Sequence, residues 1–171
     1  MLHADRDGRA PASGSLLRLM DADTIRIESA TPADLSAIRA LLDEAGLPHA
    51  DIGHGSGVRF WIARAGGNPL GAVGLERYGR SGLLRSLVVV PEARGTGLGG
   101  RLVDALEESA SSGGVHRLVL LTQTAETFFA HRGYAVIGRS DAPAEVRSSA
   151  EFRSLCPASA TCMAKDLQGT S

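Results

Sequence analysis

Aromatic residues are scarce: one Trp, two Tyr and four Phe in 171 residues. Platforms for stacking nucleic-acid bases are therefore few. An excess of either charge is also missing, since 18 Lys and Arg face 19 Asp and Glu for a formal charge of −1. That balance gives no support for polyanion binding, so no nucleic-acid partner is expected. No run approaches the roughly 18 consecutive apolar residues of a membrane-spanning helix, so no membrane partner is expected. Leu16-Leu17-Arg18-Leu19-Met20 is too short and too charged for a signal-peptide core. A cytoplasmic location follows by default. Cys156 and Cys162 are too few for a disulfide framework, and no Cys or third His stands at ligand spacing, so no metal is expected.

What is present fits one globular domain. Residues 1–23 lack periodicity and read as a flexible tail, 24–167 as a single domain, and 168–171 as a frayed end. Alternation over 24–28 predicts a first strand. Thr31, Pro32 and Asp34 are start signals for a helix whose apolar face is Leu35, Ile38, Leu41, Leu42 and Ala45. The loop 48–57 carries His49, Asp51 and His54, which read either as an acceptor-side lid or proton carrier, or as a solvated loop. Strands are predicted over 58–64 and 70–78, paired as an antiparallel hairpin around the turn Gly66-Gly67-Asn68-Pro69. Further strands are predicted over 83–90, 116–122, 134–137 and 160–165. A short helix is expected over 124–132, and an amphipathic one over 142–152.

The most informative stretch runs from Leu84 to Leu102. Leu87-Val88-Val89-Val90 favours a buried strand, which Pro91 stops. Gly95, Gly97 and Gly99 follow, and Leu98, Leu102, Ala105, Leu106 and Ala110 then recur at helical spacing. Strand, glycine turn and helix start together make an anion site, because glycine admits close backbone approach and the helix start offers unpaired N–H groups. Arg94 adds a fixed positive charge at its mouth. A P-loop is excluded because no lysine follows these glycines. Gly95, Gly97 and Gly100 match a dinucleotide fingerprint literally, but Pro-Glu-Ala-Arg separates them from the strand. The acidic residue expected about 20 positions on is also missing.

The order Leu84-Arg85-x-Leu87-x-Val89-x-Pro91, then Arg94-Gly95-Thr96-Gly97-Leu98-Gly99, resembles the acetyl-CoA-binding motif of the GNAT N-acetyltransferases. Ala125-Glu126-Thr127-Phe128-Phe129-Ala130-His131-Arg132-Gly133-Tyr134 resembles that family's second motif, with Phe129 where many relatives place a tyrosine. That tyrosine is often taken as the acid that protonates the leaving thiolate, which phenylalanine cannot do. The resemblance implies an α/β (α+β) GNAT fold: a mixed, mostly antiparallel sheet of six to seven strands flanked by helices. It implies direct acetyl transfer from acetyl-CoA, as co-substrate, to a small-molecule amine. Leu87, Val88 and Val89 would hold the pantetheine arm, and the backbone from Arg94 through Gly95, Thr96, Gly97 and Leu98 to Gly99 the pyrophosphate. Thr122 and Phe129 would complete the cofactor site. Glu76 is the expected base, Ser86 a hydroxyl lining the cleft, and Arg85 and Thr124 contacts to the acceptor; Arg77 and Arg59 are further candidates for an acidic acceptor. A homodimer is an expectation by analogy alone.

Residues 152–163, together with the 71–78 strand and Thr122-x-Thr124-Ala125-Glu126, resemble the ArsN-type acetyltransferases of arsenic-resistance operons. That resemblance implies a detoxification role and an arsenic-containing amino acid as acceptor. Cys156 and Cys162 read either as soft ligands for trivalent arsenic or as small buried hydrophobes. Two other classes of function stand beside this one: a non-catalytic acyl-CoA-binding or regulatory module, and a dinucleotide-binding protein.

Overall fold

The computed structural model describes residues 24–53 and 55–167. The tail expected over 1–23, the frayed end over 168–171 and His54 lie outside the described residues. Among the described residues no helix is long and apolar enough to cross a membrane.

The chain runs through β1 (Ile25–Ser29), α1 (Leu35–Glu44), β2 (Val58–Ala65), β3 (Asn68–Tyr78), β4 (Ser81–Val89), α2 (Leu98–Ser112), β5 (Arg117–Thr122), α3 (Glu126–His131), β6 (Ala135–Val136), α4 (Ala144–Arg147) and β7 (Thr161–Asp166). The strands form one seven-stranded mixed sheet in the order β1-β2-β3-β4-β5-β7-β6, flanked by helices, as the GNAT fold requires. All its pairs are antiparallel except β4 with β5.

Alternation along the strands builds two faces. Trp61, Ala63, Val73, Leu84, Leu118, Leu120 and Met163 join Leu98, Leu102, Val103 and Leu106 of α2 in the larger core. Their neighbours point the other way, where two separate clusters form. Phe60, Ile62, Ala72 and Val88 pack with Ile38, Leu41 and Leu42 of α1. Leu83, Val119, Cys162 and Ala164 pack with Ala142 and Val146. Between these two apolar patches runs a charged seam described below.

α1 is preceded by a tight turn over Pro32–Asp34, where the Thr31 N–H donates to the Asp34 carboxylate at 2.8 Å. The helix expected over 142–152 is broken. α4 spans only Ala144–Arg147, and a π-type turn at Glu151–Leu155 follows it. Serines cause the break, because their hydroxyls compete for backbone groups. Ser148 donates to the Glu145 carbonyl at 2.6 Å, and the Ser149 hydroxyl takes the Phe152 N–H at 3.4 Å. The break turns Glu151 inward, where it is 5 % exposed.

Candidate active site

β4 and β5 pair in parallel only from Ser81↔Arg117 to Leu83↔Val119. Beyond that point the two strands continue without pairing to each other, and the sheet splays. β4 also bulges there: Ala72 faces Val88 but Gly74 faces Arg85, so Ser86 and Leu87 together oppose Val73. Ser86 takes the left-handed conformation, φ 59°, which is unusual for a residue other than glycine. The extra residue reverses the alternation, so Val88 packs toward α1 while Leu87 and Val89 pack against the α2 core.

The splay opens into a cleft of about 620 Å³, walled by Leu87, Val88, Val89, Arg94, Gly95, Gly97, Leu98, Gly99 and Phe128. Gly95 and Gly97 adopt positive φ, 79° and 85°, and the space beside Gly97 is open. Gly97 caps α2, so the helix presents its unpaired N–H groups to this cleft. Arg94 reaches back to donate to the Val89 carbonyl at 3.1 Å, which pins the turn to the end of the strand.

A second cleft of about 430 Å³ continues from the first and shares Leu87, Thr124 and Ala125 with it. Its walls come from separated parts of the chain: residues 45–48, Arg85 and Ser86, residues 120–125, Phe129, Glu151 and Cys156. At its base lies the charged seam. The Arg85 guanidinium has no solvent exposure. It donates from Nη1 to Asp51 Oδ2 and Glu76 Oε1, both at 2.5 Å, and from Nη2 to Asp51 Oδ1 at 2.8 Å. Its Nε donates to the Ser86 hydroxyl at 3.1 Å and lies 3.4 Å from Glu151 Oε1. Tyr78 donates to the other oxygen of Glu76.

One guanidinium thus serves three carboxylates, and they differ. Burial raises the Asp51 carboxyl, but the hydrogen bonds and charge of Arg85 outweigh it and leave it below the usual range. Glu151 has only the longer approach to Arg85. Burial pushes its carboxyl up to about 7, with the Glu76 and Asp51 charges adding to the rise and Arg85 opposing it. Cys156 is half-buried beside it, and burial with the Glu151 charge raises its thiol to about 11, so it is a thiol at neutral pH.

Several sequence expectations meet different surroundings. Glu76 was the expected base, but it is buried, lines neither cleft, and has both oxygens engaged by Arg85 and Tyr78. Arg85 was expected to hold the acceptor; its charge is wholly taken up by protein carboxylates. Thr122 and Phe129 were expected on the cofactor and instead line the second cleft. Thr122 accepts the Ala125 N–H at 3.0 Å, and Phe129 packs edge-on to Phe128, the ring that does wall the first cleft. Thr96 lines neither cleft, and its hydroxyl donates to the Ala93 carbonyl at 2.5 Å. Thr124 lines both clefts and Ser86 the second. Arg59 stacks over Trp61 and lines a separate hollow, and Arg77 donates to the Gly79 carbonyl, so neither stands at these clefts. In the 48–57 loop, Asp51 belongs to the seam, while His49 pairs with Asp43 at 3.1 Å. Cys162 is buried in the cluster around Leu83 and Val119, away from Cys156's cleft. Phe128, Glu151 and Cys156's place on a cleft wall were not read from the sequence. The one available signal was Arg85 itself, since a charge in an apolar strand needs buried counter-charges.

Residues 56–136 match the family model described as the acetyltransferase (GNAT) domain. That span carries the first cleft but ends before Glu151 and Cys156. No curated protein matches the chain. Among solved structures, N-acetylglutamate synthase from Neisseria gonorrhoeae, complexed with coenzyme A and N-acetyl-glutamate, is 25% identical with a TM-score of 0.71. The match covers 84% of this chain but 35% of the synthase, so the chain spans about a third of that relative's length. Rv2747 from Mycobacterium tuberculosis, in complex with CoA, is 26% identical with a TM-score of 0.67, covering 84% of this chain and 99% of that one. The PaiA N-acetyltransferase from Thermoplasma acidophilum, in complex with coenzyme A, shares the fold at 16% identity and a TM-score of 0.62, covering 83% of this chain and 98% of that one. Residues 56–136 are thus similar to a GNAT acetyltransferase domain, and the chain shares the fold of these solved structures.

Proposed function

We propose that the protein is an acetyl-CoA-dependent N-acetyltransferase acting on a small amine. The observation that carries this reading is the splay between β4 and β5, which runs directly into the glycine turn at the start of α2. An extended thiol-bearing arm fits between the parted strands, with Leu87, Val88 and Val89 beside it. The turn from Arg94 to Gly99 suits the pyrophosphate, through backbone N–H groups and the helix dipole. The thioester would then lie where the two clefts meet, near Leu87, Thr124 and Ala125. A backbone N–H of the bulged strand would polarise its carbonyl. CoA complexes of the synthase and of Rv2747 support the choice of cofactor.

In the reaction the amine nitrogen attacks the thioester carbon, the carbon–sulfur bond breaks, and CoA leaves as a thiol. Phe129 supplies no proton to the sulfur. The free pKa of a thiol, near 8.5, makes departure without a dedicated side-chain acid feasible. Ser86, Thr122 and Thr124 are the hydroxyls closest to this junction. The finer reading is an arsenic-containing amino acid as acceptor, in a detoxification role. The resemblance over residues 152–163 and Cys156 on the wall of the second cleft favour it. Against it, Arg85 is the only Lys, Arg or His among the described residues lining that cleft, and its charge is already taken up.

Calorimetric titration with acetyl-CoA, with NADH in parallel, tests the cofactor reading. Micromolar binding of acetyl-CoA alone is the expected result. Binding of NADH alone would overturn it. Binding of acetyl-CoA without turnover on any amine would favour a non-catalytic acyl-CoA module.

A further inference from the structure

We propose that Glu151 accepts a proton from the ammonium of the acceptor amine, and that this acceptor carries no acidic group. The proposal rests on the acetyltransferase reading above. Three observations lead to it. Glu151 lines the second cleft, which joins the cofactor cleft at Thr124 and Ala125. It is the carboxylate of the seam that Arg85 holds least closely, at 3.4 Å against 2.5 Å for both Asp51 and Glu76. And it is delivered by a π-type turn, an irregularity frequently found at functional sites.

An amine in water is largely protonated at neutral pH, and an ammonium cannot attack a carbonyl. A base in the cleft must remove one proton first. Asp51 and Glu76 are poor choices, since their oxygens already accept two hydrogen bonds each from Arg85, or from Arg85 and Tyr78. The groups facing Glu151 are Arg85 on β4, Glu76 on β3, Asp51 in the loop after α1, and Cys156 on its own segment. Burial, with the Glu76 and Asp51 charges adding to it and Arg85 opposing, raises its proton affinity close to neutrality, where a base takes and releases protons readily. In the step itself, Glu151 takes one ammonium proton. The neutral nitrogen attacks the thioester carbon, the carbon–sulfur bond breaks, and the second nitrogen proton leaves with the sulfur. Glu151 then returns its proton to solvent.

The same charges decide the acceptor class. Three carboxylates around one guanidinium leave the cleft negative whenever Glu151 is ionised. Among the described residues lining it, no uncommitted cation is available for a carboxylate, phosphinate or arsinate. A cationic amine is drawn in, and an acidic amino acid is repelled.

The test compares benzylamine and spermidine with glutamate and phosphinothricin as acceptors, with CoA release followed chromatographically. The simple amines should exceed the acidic amino acids by at least tenfold in kcat/KM. Equal or lower turnover, or none on any of the four while acetyl-CoA still binds, overturns the acceptor class and leaves the cofactor reading intact. Failure to bind acetyl-CoA overturns the cofactor reading itself. With the best acceptor, kcat/KM should rise through an apparent pKa near 7. Glu151→Gln should lower kcat about 100-fold and abolish that rise, leave acetyl-CoA affinity within twofold, and be partly rescued by Glu151→Asp. A kcat within threefold and an unchanged pH profile would overturn the assignment. If Glu151→Gln does not fold, the wild-type profile decides: a flat line between pH 5.5 and 8.5 removes Glu151 as the base.

Discussion

The two clefts are adjacent, yet they are made in opposite ways. The first is built mostly of backbone and apolar side chains from one continuous stretch, residues 87–100, with Ala45, Leu47, Thr124, Ala125 and Phe128 completing its walls. Its single basic side chain, Arg94, is spent on the Val89 carbonyl. The second is built of side chains from the loop after α1, from β4, from the end of β5 and from the segment before β7. At its base a buried arginine is balanced against three carboxylates. A site formed by backbone tolerates many side chains, provided glycine stands where φ must be positive. A site formed by distant charges depends on every partner arriving together.

That difference can be broken most sharply at Arg85. Arg85→Met should cost about 3–5 kcal/mol, because it leaves two buried carboxylates and the partly buried Asp51 without their cation. Urea denaturation at pH 7.5 measures it, and a loss under 1 kcal/mol would mean that the seam opens to water instead. The cost should shrink as pH falls and the carboxylates take up protons.

Glu151 gives the next effect. Its folded-state proton affinity, near 7, is above that of an unfolded glutamate. The folded state therefore binds more protons between about 4.5 and 7, and this stability is lost as pH rises through that window. The loss is on the order of 3 kcal/mol. Thermal unfolding from pH 5 to 8 should show the decline in the wild type and a flatter course in Glu151→Gln. Asp51 acts in the opposite direction, since its lowered carboxyl contributes above its unfolded value and loses that contribution as pH falls through its folded one.

In the first cleft the corresponding change is smaller. Gly97→Ala meets no atom within 4 Å but must hold φ at +85°, at about 1–2 kcal/mol. Acetyl-CoA affinity should fall about tenfold by calorimetry, with the acceptor's KM unchanged. A shift in acceptor KM instead would show that the clefts are coupled. Phe129→Tyr is expected to be the mildest. It adds a hydroxyl beside the junction, and kcat should rise by less than tenfold, with stability within about 1 kcal/mol. A larger rise would identify departure of the thiolate as the slow step.

The legibility of the two clefts follows from their construction. Pro91, the glycines after it and the apolar repeat of α2 are neighbours in the chain, so their order in the sequence is their order in space. Even there, the Thr96 hydroxyl bonds its own turn and Phe128 stands where Phe129 is expected, because a motif gives spacing but not the rotation of each side chain. The expectation of Glu76 as base rests on its strand lying near the cleft, which says nothing about what its oxygens meet. Asp51 and Glu151 are 100 positions apart in the sequence and share one guanidinium. Only folding brings them together.

By itself the sequence determined the strand order of events: a hairpin, a valine-rich strand stopped by proline, a glycine turn and an amphipathic helix. Each is a local consequence of side-chain branching, missing N–H groups and φ freedom. The tertiary structure alone decided where β4 and β5 part, through a one-residue bulge at Ser86 that reverses which side chains face which helix. It alone decided that the expected carboxy-terminal helix breaks and turns Glu151 into the cleft. Both depend on pairing between segments far apart in the chain, and the energy of a buried charge is set by what surrounds it in space, not by what precedes it in sequence.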